Sequence, residues 1–386
     1  MIYLDYAATT PMSDEALEVF QQAAKKFYGN SSSLHDIGSN ANILLETCRC
    51  KLASLLNVDK NGIYFTSGGS ESNILALQSI IDSHRKNGNH LITSVCEHPS
   101  VYYFFKKLEK QGFEVTYLPI NEYGVIDLNC LKQSIKSTTI LASIQYANSE
   151  IGTIQPIDAI SEILHNHNVI FHCDAVQAFG KISIDINKQK IDALSISSHK
   201  VYGPKGVGAV YINPNLSWNA QIPGTTHEKG FRPGTINVPG IASFTAAATN
   251  TCEMMIEERK RLAEIRNEII RLLKTNVPME IVVEGDPTNH LPNILGLRIT
   301  GMEGQLVMLE ANRHGLAIST GSACSITNQK PSRTIKSLGR TEAECYEFIR
   351  ISFGRYTTNQ HIQPIINILK KITSEHKSKL RYSVSN

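Results

Sequence analysis

The sequence predicts an α/β protein with two domains. A large domain with a mainly parallel sheet spans residues 13–250, and a smaller α/β domain combines residues 1–12 with 251–386. Three observations carry this. Short β-rich runs alternate with helically periodic stretches between residues 60 and 215, the pattern of parallel strands covered by helices on both faces. The alternation restarts after a long amphipathic segment that ends near residue 276. Finally, 386 residues suffice for one large and one small core.

Residues 1–10 read as a strand and turn before a helix that starts at Ser13, and they are placed with the small domain. Runs rich in β-branched and aromatic residues then mark strands at 63–66, 90–93, 114–117, 140–144, 169–173 and 193–197. Helical spacing appears at 74–84 and 157–165. In such a sheet, ligands gather at the carboxyl ends of the strands. One long amphipathic helix is expected over 242–276. Strands at 281–283 and 294–299, a helix at 304–312 and a strand at 316–319 follow.

Charged residues make up 19% of the chain and the net charge is +3, which excludes an obligate nucleic-acid binder with its basic stripe. The densest charge cluster, Glu257 to Arg261, mixes signs and reads as a solvated helix face. The stretch 234–256, whose one charge is Glu253, is too polar to span a membrane, and Asp5 interrupts any secretory apolar run. The eight cysteines lack metal-ligand spacing, so no metal is expected and the thiols are read as reduced. These points predict a cytoplasmic protein.

Asp174 closes an apolar strand, where a carboxylate alone would read as a helix cap. Twenty-six residues later, Lys200 follows Ser197-Ser198-His199 at the end of another strand. A lysine at the edge of a buried sheet loses its charge readily and becomes a nucleophile suited to a Schiff base. Lys205 competes, but its Pro-Lys-Gly turn reads as exposed. A Schiff-base lysine with an acidic partner for a pyridine nitrogen is what pyridoxal 5′-phosphate requires. The turn Thr66-Ser67-Gly68-Gly69-Ser70 joins a strand to a helix, and its free N–H groups and hydroxyls could cradle a phosphate. It is neither a Walker A loop nor a dinucleotide fingerprint. His98 ends a further strand, as a turn residue or as a group over a cofactor ring.

Taken together, these segments resemble the cysteine desulfurases of the NifS and IscS kind, within the class V aminotransferase group of pyridoxal-phosphate enzymes. The likeness runs through residues 3–11, 67–73, Glu97-His98-Pro99, 148–152, Asp174-Ala175-Val176-Gln177, 198–206, 227–235, Thr320-Gly321-Ser322-Ala323-Cys324-Ser325 and 349–355. It implies a fold-type I architecture. By that resemblance, Lys200 holds the cofactor and moves the α-proton, Asp174 keeps the pyridine nitrogen protonated, and Gln177 bonds the phenolic oxygen. His98 stacks on the ring and shuttles protons. Gly69, Ser70, Ser197 and His199 take the phosphate, and Thr235 reaches the phosphate of a partner subunit in a homodimer with shared sites. Arg350 clamps the substrate carboxylate.

Cys324 separates this reading from ordinary aminotransferases. It follows Gly321-Ser322-Ala323 and precedes a polar stretch of loop composition through Ser332. A thiol there suits attack on a substrate sulfur, provided it ionises. The resemblance therefore implies that L-cysteine yields L-alanine and a persulfide on Cys324. That sulfur would pass to an acceptor or iron–sulfur scaffold protein. The family commonly has two asparagines before Glu150; here the second is Ser149, and Asn148 is taken as the residue that meets cofactor and substrate. Ser70 stands where threonine is usual and Thr320 where serine is common. The competing readings are a selenocysteine lyase, another class V enzyme that would not need Cys324, and a non-catalytic sulfur-assembly partner.

Overall fold

The computed structural model describes residues 1–321 and 331–384. A short strand β1 (Ile2–Tyr3) leads to α1 (Asp14–Lys26), whose first turn is capped by the Ser13 hydroxyl, then to α2 (Asp36–Leu55). The central region follows as β2 (Ile63–Thr66), α3 (Gly69–His84), β3 (His90–Ser94), α4 (Pro99–Lys110), β4 (Glu114–Leu118), α5 (Leu128–Ser134), β5 (Thr139–Gln145), α6 (Ile157–His165), β6 (Ile170–Asp174), β7 (Ala193–Ser197) and β8 (Gly208–Ile212). These strands form one seven-stranded sheet in the order β2-β8-β7-β6-β5-β3-β4. The five strands from β7 to β4 are parallel, and β8 runs antiparallel to both its neighbours.

Strand β8 has no counterpart in the sequence-based reading, which places no strand between 197 and 281. The other strands of this sheet lie within one residue of their expected ends, because buried strands read as continuous apolar runs. Alternate side chains serve opposite faces: Leu91, Leu141 and Ala193 pack with α3 and α4, whereas Ile92, Ala142 and Leu194 pack with α2, α6 and α7 (Val238–Glu253).

The single helix expected over 242–276 is two helices. Helix α7 begins earlier, at Asn237 as cap with Pro239 in its first turn, and ends at Met254 (φ −86°, ψ −3°), after which α8 (Met255–Asn276) sets off. Composition explains the break. Small residues let α7 bury almost all round against α1 and α2, while the charged α8 buries a narrower stripe of Leu262, Ile265, Ile269 and Leu273 with Arg266 beside it.

After α8 come β9 (Ile281–Glu284), β10 (Ile294–Ile299), α9 (Gly304–Arg313), β11 (Leu316–Ala317), α10 (Arg333–Ser337), α11 (Glu342–Tyr346), β12 (Phe348–Ser352) and α12 (Ile362–Val384). Strands β12-β10-β9 make an antiparallel sheet over a separate core that includes Leu4, Leu297, Ile351 and Leu369, and β1 pairs in parallel with β11. The bridge Asp5↔Ser352 brings the N-terminal run alongside β12, and Ser319↔Arg350 does the same for the segment after β11.

A buried ion pair fixes the segment between β8 and α7. Arg49 of α2 donates to both carboxylate oxygens of Glu228 at 2.8 and 2.9 Å, and the Phe65 N–H donates to Glu228 at 2.7 Å. Glu228 itself has left-handed backbone (φ 46°), so the contacts hold a conformation the chain would not choose alone. Losing Arg49 would strand the buried Glu228 carboxylate, at a cost of about 3–5 kcal/mol, whereas Arg49 without Glu228 would keep its pair with Glu46 at 3.0 Å.

Candidate active site

The carboxyl ends of the parallel strands open into a cavity of about 550 Å³. Gln145 stands at the end of β5, Asp174 at the end of β6, Ser197 at the end of β7 and His98 just beyond β3. Parallel strands share one direction, so their ends converge on one edge, and residues far apart in sequence meet there.

Lys200 lies on a single helical turn, residues Ser198–Lys200, directly after β7. The N-terminal run straps this turn down. The Thr10 N–H donates to His199 O at 2.9 Å, and the Thr10 hydroxyl accepts from the Tyr202 N–H at 2.8 Å. Lys200 Nζ donates to Ala7 O at 2.5 Å and Ala8 O at 2.8 Å. Burial, with the nearby cations of Arg350 and Lys181, brings its pKa from 10.5 down to about 7. An amine that gives up its proton near neutrality is a competent nucleophile and base. Lys205 is exposed, as its turn predicts.

Asp174 accepts from Asn73 Nδ2 at 2.8 Å and from the Val176 N–H at 3.0 Å. Gln177 lines the cavity and donates to Ala7 O at 2.9 Å, while its buried Oε1 has no partner. On the opposite wall, Gly68 precedes α3 without any side-chain cap. The first-turn N–H groups of Gly69 and Ser70 therefore remain available to an anion. Gly69 is required here, because a Cβ would come within 2.7 Å of Val176. The buried Ser197 hydroxyl also has no partner. His199 shares the wall, hydrogen-bonded to the Thr9 hydroxyl at 3.1 Å. Burial and the Lys200 and Lys205 cations push its pKa down to about 4.

These features fit pyridoxal 5′-phosphate by their chemistry. The amine, a carboxylate at another strand end, an uncapped helix start and an unpartnered serine hydroxyl share one cavity. Among the described residues no cluster of His, Cys, Asp and Glu could hold a metal ion, and no helix is long and apolar enough to cross a membrane.

Arg350 is 2% exposed and lies on β12. Its Nη2 pairs with Asp5 at 2.7 Å and its Nη1 donates to Ser149 O at 2.9 Å, while its buried Nε has no partner. The guanidinium is thus held on two sides while its Nε–H and one hydrogen on each Nη stay unclaimed by these contacts, enough for the two parallel bonds of a carboxylate clamp.

Two expected residues stand elsewhere. Asn148 does not line the cavity. Its Oδ1 accepts from the Glu150 and Ile151 N–H groups at 2.8 and 3.1 Å, and its Nδ2 reaches Cys96 O at 3.3 Å. Ser149 lines the cavity instead. Asparagine is consumed by the turn because its short amide reaches the two following N–H groups. Thr235 is exposed and does not line this cavity. Cys324 lies outside the described residues. Sequence reasoning missed Asn73 and Ser100, which touch Asp174 and His98, and gave Asp5 no role. The first two sit near the starts of α3 and α4, within or next to recognised motifs, but only their distances reveal them.

A family profile described as aminotransferase class-V matches residues 2–365. The chain is 48% identical over 383 residues to NifS of Bacillus subtilis (strain 168), covering 98% of this chain and 96% of that protein. It is 38% identical to the cysteine desulfurase IscS of Clostridium botulinum (strain Hall), over 97% of this chain and 95% of the other. Among solved structures, a NifS-like protein superposes with a TM-score of 0.90 at 31% identity, covering 97% of this chain and 99% of that one. SspA in complex with cysteine has a TM-score of 0.82 at 31% identity, covering 93% and 100%.

Proposed function

The chain belongs to the class V aminotransferase family, and from that premise we propose that it is a pyridoxal-phosphate-dependent cysteine desulfurase of the NifS/IscS kind. One observation carries the reading: a lysine with depressed basicity and an arginine with an unused N–H share a cavity built to hold an anion. When bound, the cofactor supplies an electron sink for the substrate's α-carbon. Lys200 Nζ holds the cofactor and moves the α-proton. Asp174 secures the ring nitrogen, Ser70, Ser197 and His199 hold the phosphate, and Gln177 faces the phenolic oxygen. Ser149, rather than Asn148, meets the substrate side. Arg350 binds the cysteine carboxylate on its free Nε edge. The Cys324 thiolate takes the substrate sulfur, so cysteine and a thiol become alanine and a persulfide.

The expected outcome of incubating the full chain and pyridoxal 5′-phosphate with L-cysteine is stoichiometric L-alanine and a persulfide on the Cys324 peptide, read by mass analysis. Neither product, with cofactor bound, would end the desulfurase reading. Equal turnover on selenocysteine with none on cysteine would make it a lyase of the other chalcogen.

The wider reading keeps the division into residues 13–250 and 1–12 with 251–386, the smaller part supplying Arg350 and Cys324. It includes a homodimer, supported by exposed apolar side chains at Tyr28, Leu34, Ile37 and Ile43 and by Thr235, which is exposed and does not line its own cavity. Sedimentation velocity is expected to give twice the chain mass; a monomer at micromolar concentration would remove shared sites. A sulfur acceptor or iron–sulfur scaffold is the partner for the persulfide. The free thiols at Cys48 and Cys50 and the need for a reduced nucleophile support a cytoplasmic location.

A further inference from the structure

His98 caps α4, and both of its neighbours on the Nδ1 side come from Ser100. The Ser100 N–H donates to Nδ1 at 3.2 Å and the Ser100 hydroxyl lies 2.7 Å from the same atom. The hydroxyl in turn sits 3.0 Å from Asn73 Nδ2, whose other hydrogen goes to Asp174 Oδ2 at 2.8 Å. Asn73 is 1% exposed.

The direction of every bond in this row is dictated from its two ends. A carboxylate accepts only, so Asp174 must face the amide nitrogen of Asn73 and not its oxygen. The second amide hydrogen then goes to the Ser100 oxygen, which leaves that hydroxyl's own hydrogen for Nδ1. A backbone N–H donates only, so Nδ1 must carry a lone pair. The neutral ring therefore has its proton on Nε2, the nitrogen these contacts leave unengaged on a residue that lines the cavity.

We propose that Ser100 and Asn73 are positioning residues that lock His98 in the Nε2–H tautomer and make it a proton donor toward the reacting groups, with its orientation tied to Asp174. Nδ1 is closed to the pocket by two donors, so only one ring nitrogen can exchange protons with substrate. Both donors favour the neutral ring, adding to burial and to the Lys200 and Arg333 cations, against the opposing pull of Asp174. His199 also stands nearby and is itself held neutral. The inference deepens the desulfurase reading, on which its catalytic consequence rests; the tautomer does not depend on it.

The test is long-range proton–nitrogen NMR of the full chain labelled at histidine, with and without pyridoxal 5′-phosphate, His98 being assigned by His98→Gln. The wild type is expected to show the Nε2–H pattern and a titration midpoint below 6.5. Ser100→Ala removes one donor to the neutral ring and should raise the midpoint by about half a pH unit. Ser100→Thr should restore it, and Asn73→Ala should shift it the same way as Ser100→Ala. An Nδ1–H pattern in the wild type, or an unmoved midpoint in both alanine variants, overturns the proposal. A protein that keeps this tautomer but makes no alanine from cysteine would sink the proposed function alone.

Discussion

Lys200→Ala is expected to abolish covalent cofactor binding and lower alanine formation from L-cysteine by about 10³-fold or more, the range for removing a group that is both nucleophile and base. The variant should still fold. Lys200 donates to Ala7 O and Ala8 O, but Ala7 O keeps a second donor in Gln177 Nε2 at 2.9 Å. Thr10 independently straps the N-terminal run to His199 and Tyr202. The absorbance of lysine-linked cofactor and its change on adding cysteine should disappear, while Lys205→Ala should leave both intact. The wild-type amine also predicts a pH signature. Its folded pKa is lowered to about 7, so the neutral amine dominates above that pH and not only above 10.5. Capture of pyridoxal 5′-phosphate by cofactor-free protein should therefore accelerate as pH rises through about 7 and then level off. Persistence of the lysine-linked absorbance in Lys200→Ala would mean that another amine holds the cofactor, with Lys205, which also lines the cavity, as the candidate.

The parallel core was legible because its strands are buried on both faces, and their apolar runs end where Asp174, Ser197 and His98 begin to be polar. Position at a strand end is a property of local sequence, so Lys200 and Asp174 could be placed at the carboxyl edge of the sheet before any contact was known. What local sequence does not carry is which nearby group claims a side chain first. Asn148 and Ser149 are adjacent and polar, and only the turn that follows decides that the asparagine is consumed and the serine faces the cavity. The same holds for Asn73 and Ser100, whose meaning lies in contacts across 101 and 27 positions. The break at Met254 was hidden for a different reason. Amphipathic periodicity passes through it, and the change lies in how much of the helix surface finds a partner.

Cys324→Ala is expected to stop persulfide formation entirely and to cut turnover with L-cysteine by about 10²-fold or more, while cysteine still perturbs the cofactor absorbance. The residue lies outside the described part of the chain, so the argument proceeds from the other seven cysteines. No cysteine among the described residues lines the cavity. Burial raises the thiol pKa of Cys96 to about 12 and of Cys252 to about 11, and it raises those of Cys48, Cys173 and Cys345 as well. A buried thiol that stays protonated is a poor nucleophile, because the thiolate is the attacking species. Cys50 is exposed on α2 and Cys130 half-buried on α5, neither at the strand ends where the substrate would bind. A sulfur leaving the substrate thus has one thiol left to receive it. Substrate binding should survive, since Lys200 and Arg350 are untouched, and the two effects separate in the assay: the absorbance response persists and alanine does not accumulate. Full alanine production by Cys324→Ala, or a persulfide mapped to Cys50 or Cys130, would show that the sulfur takes another route.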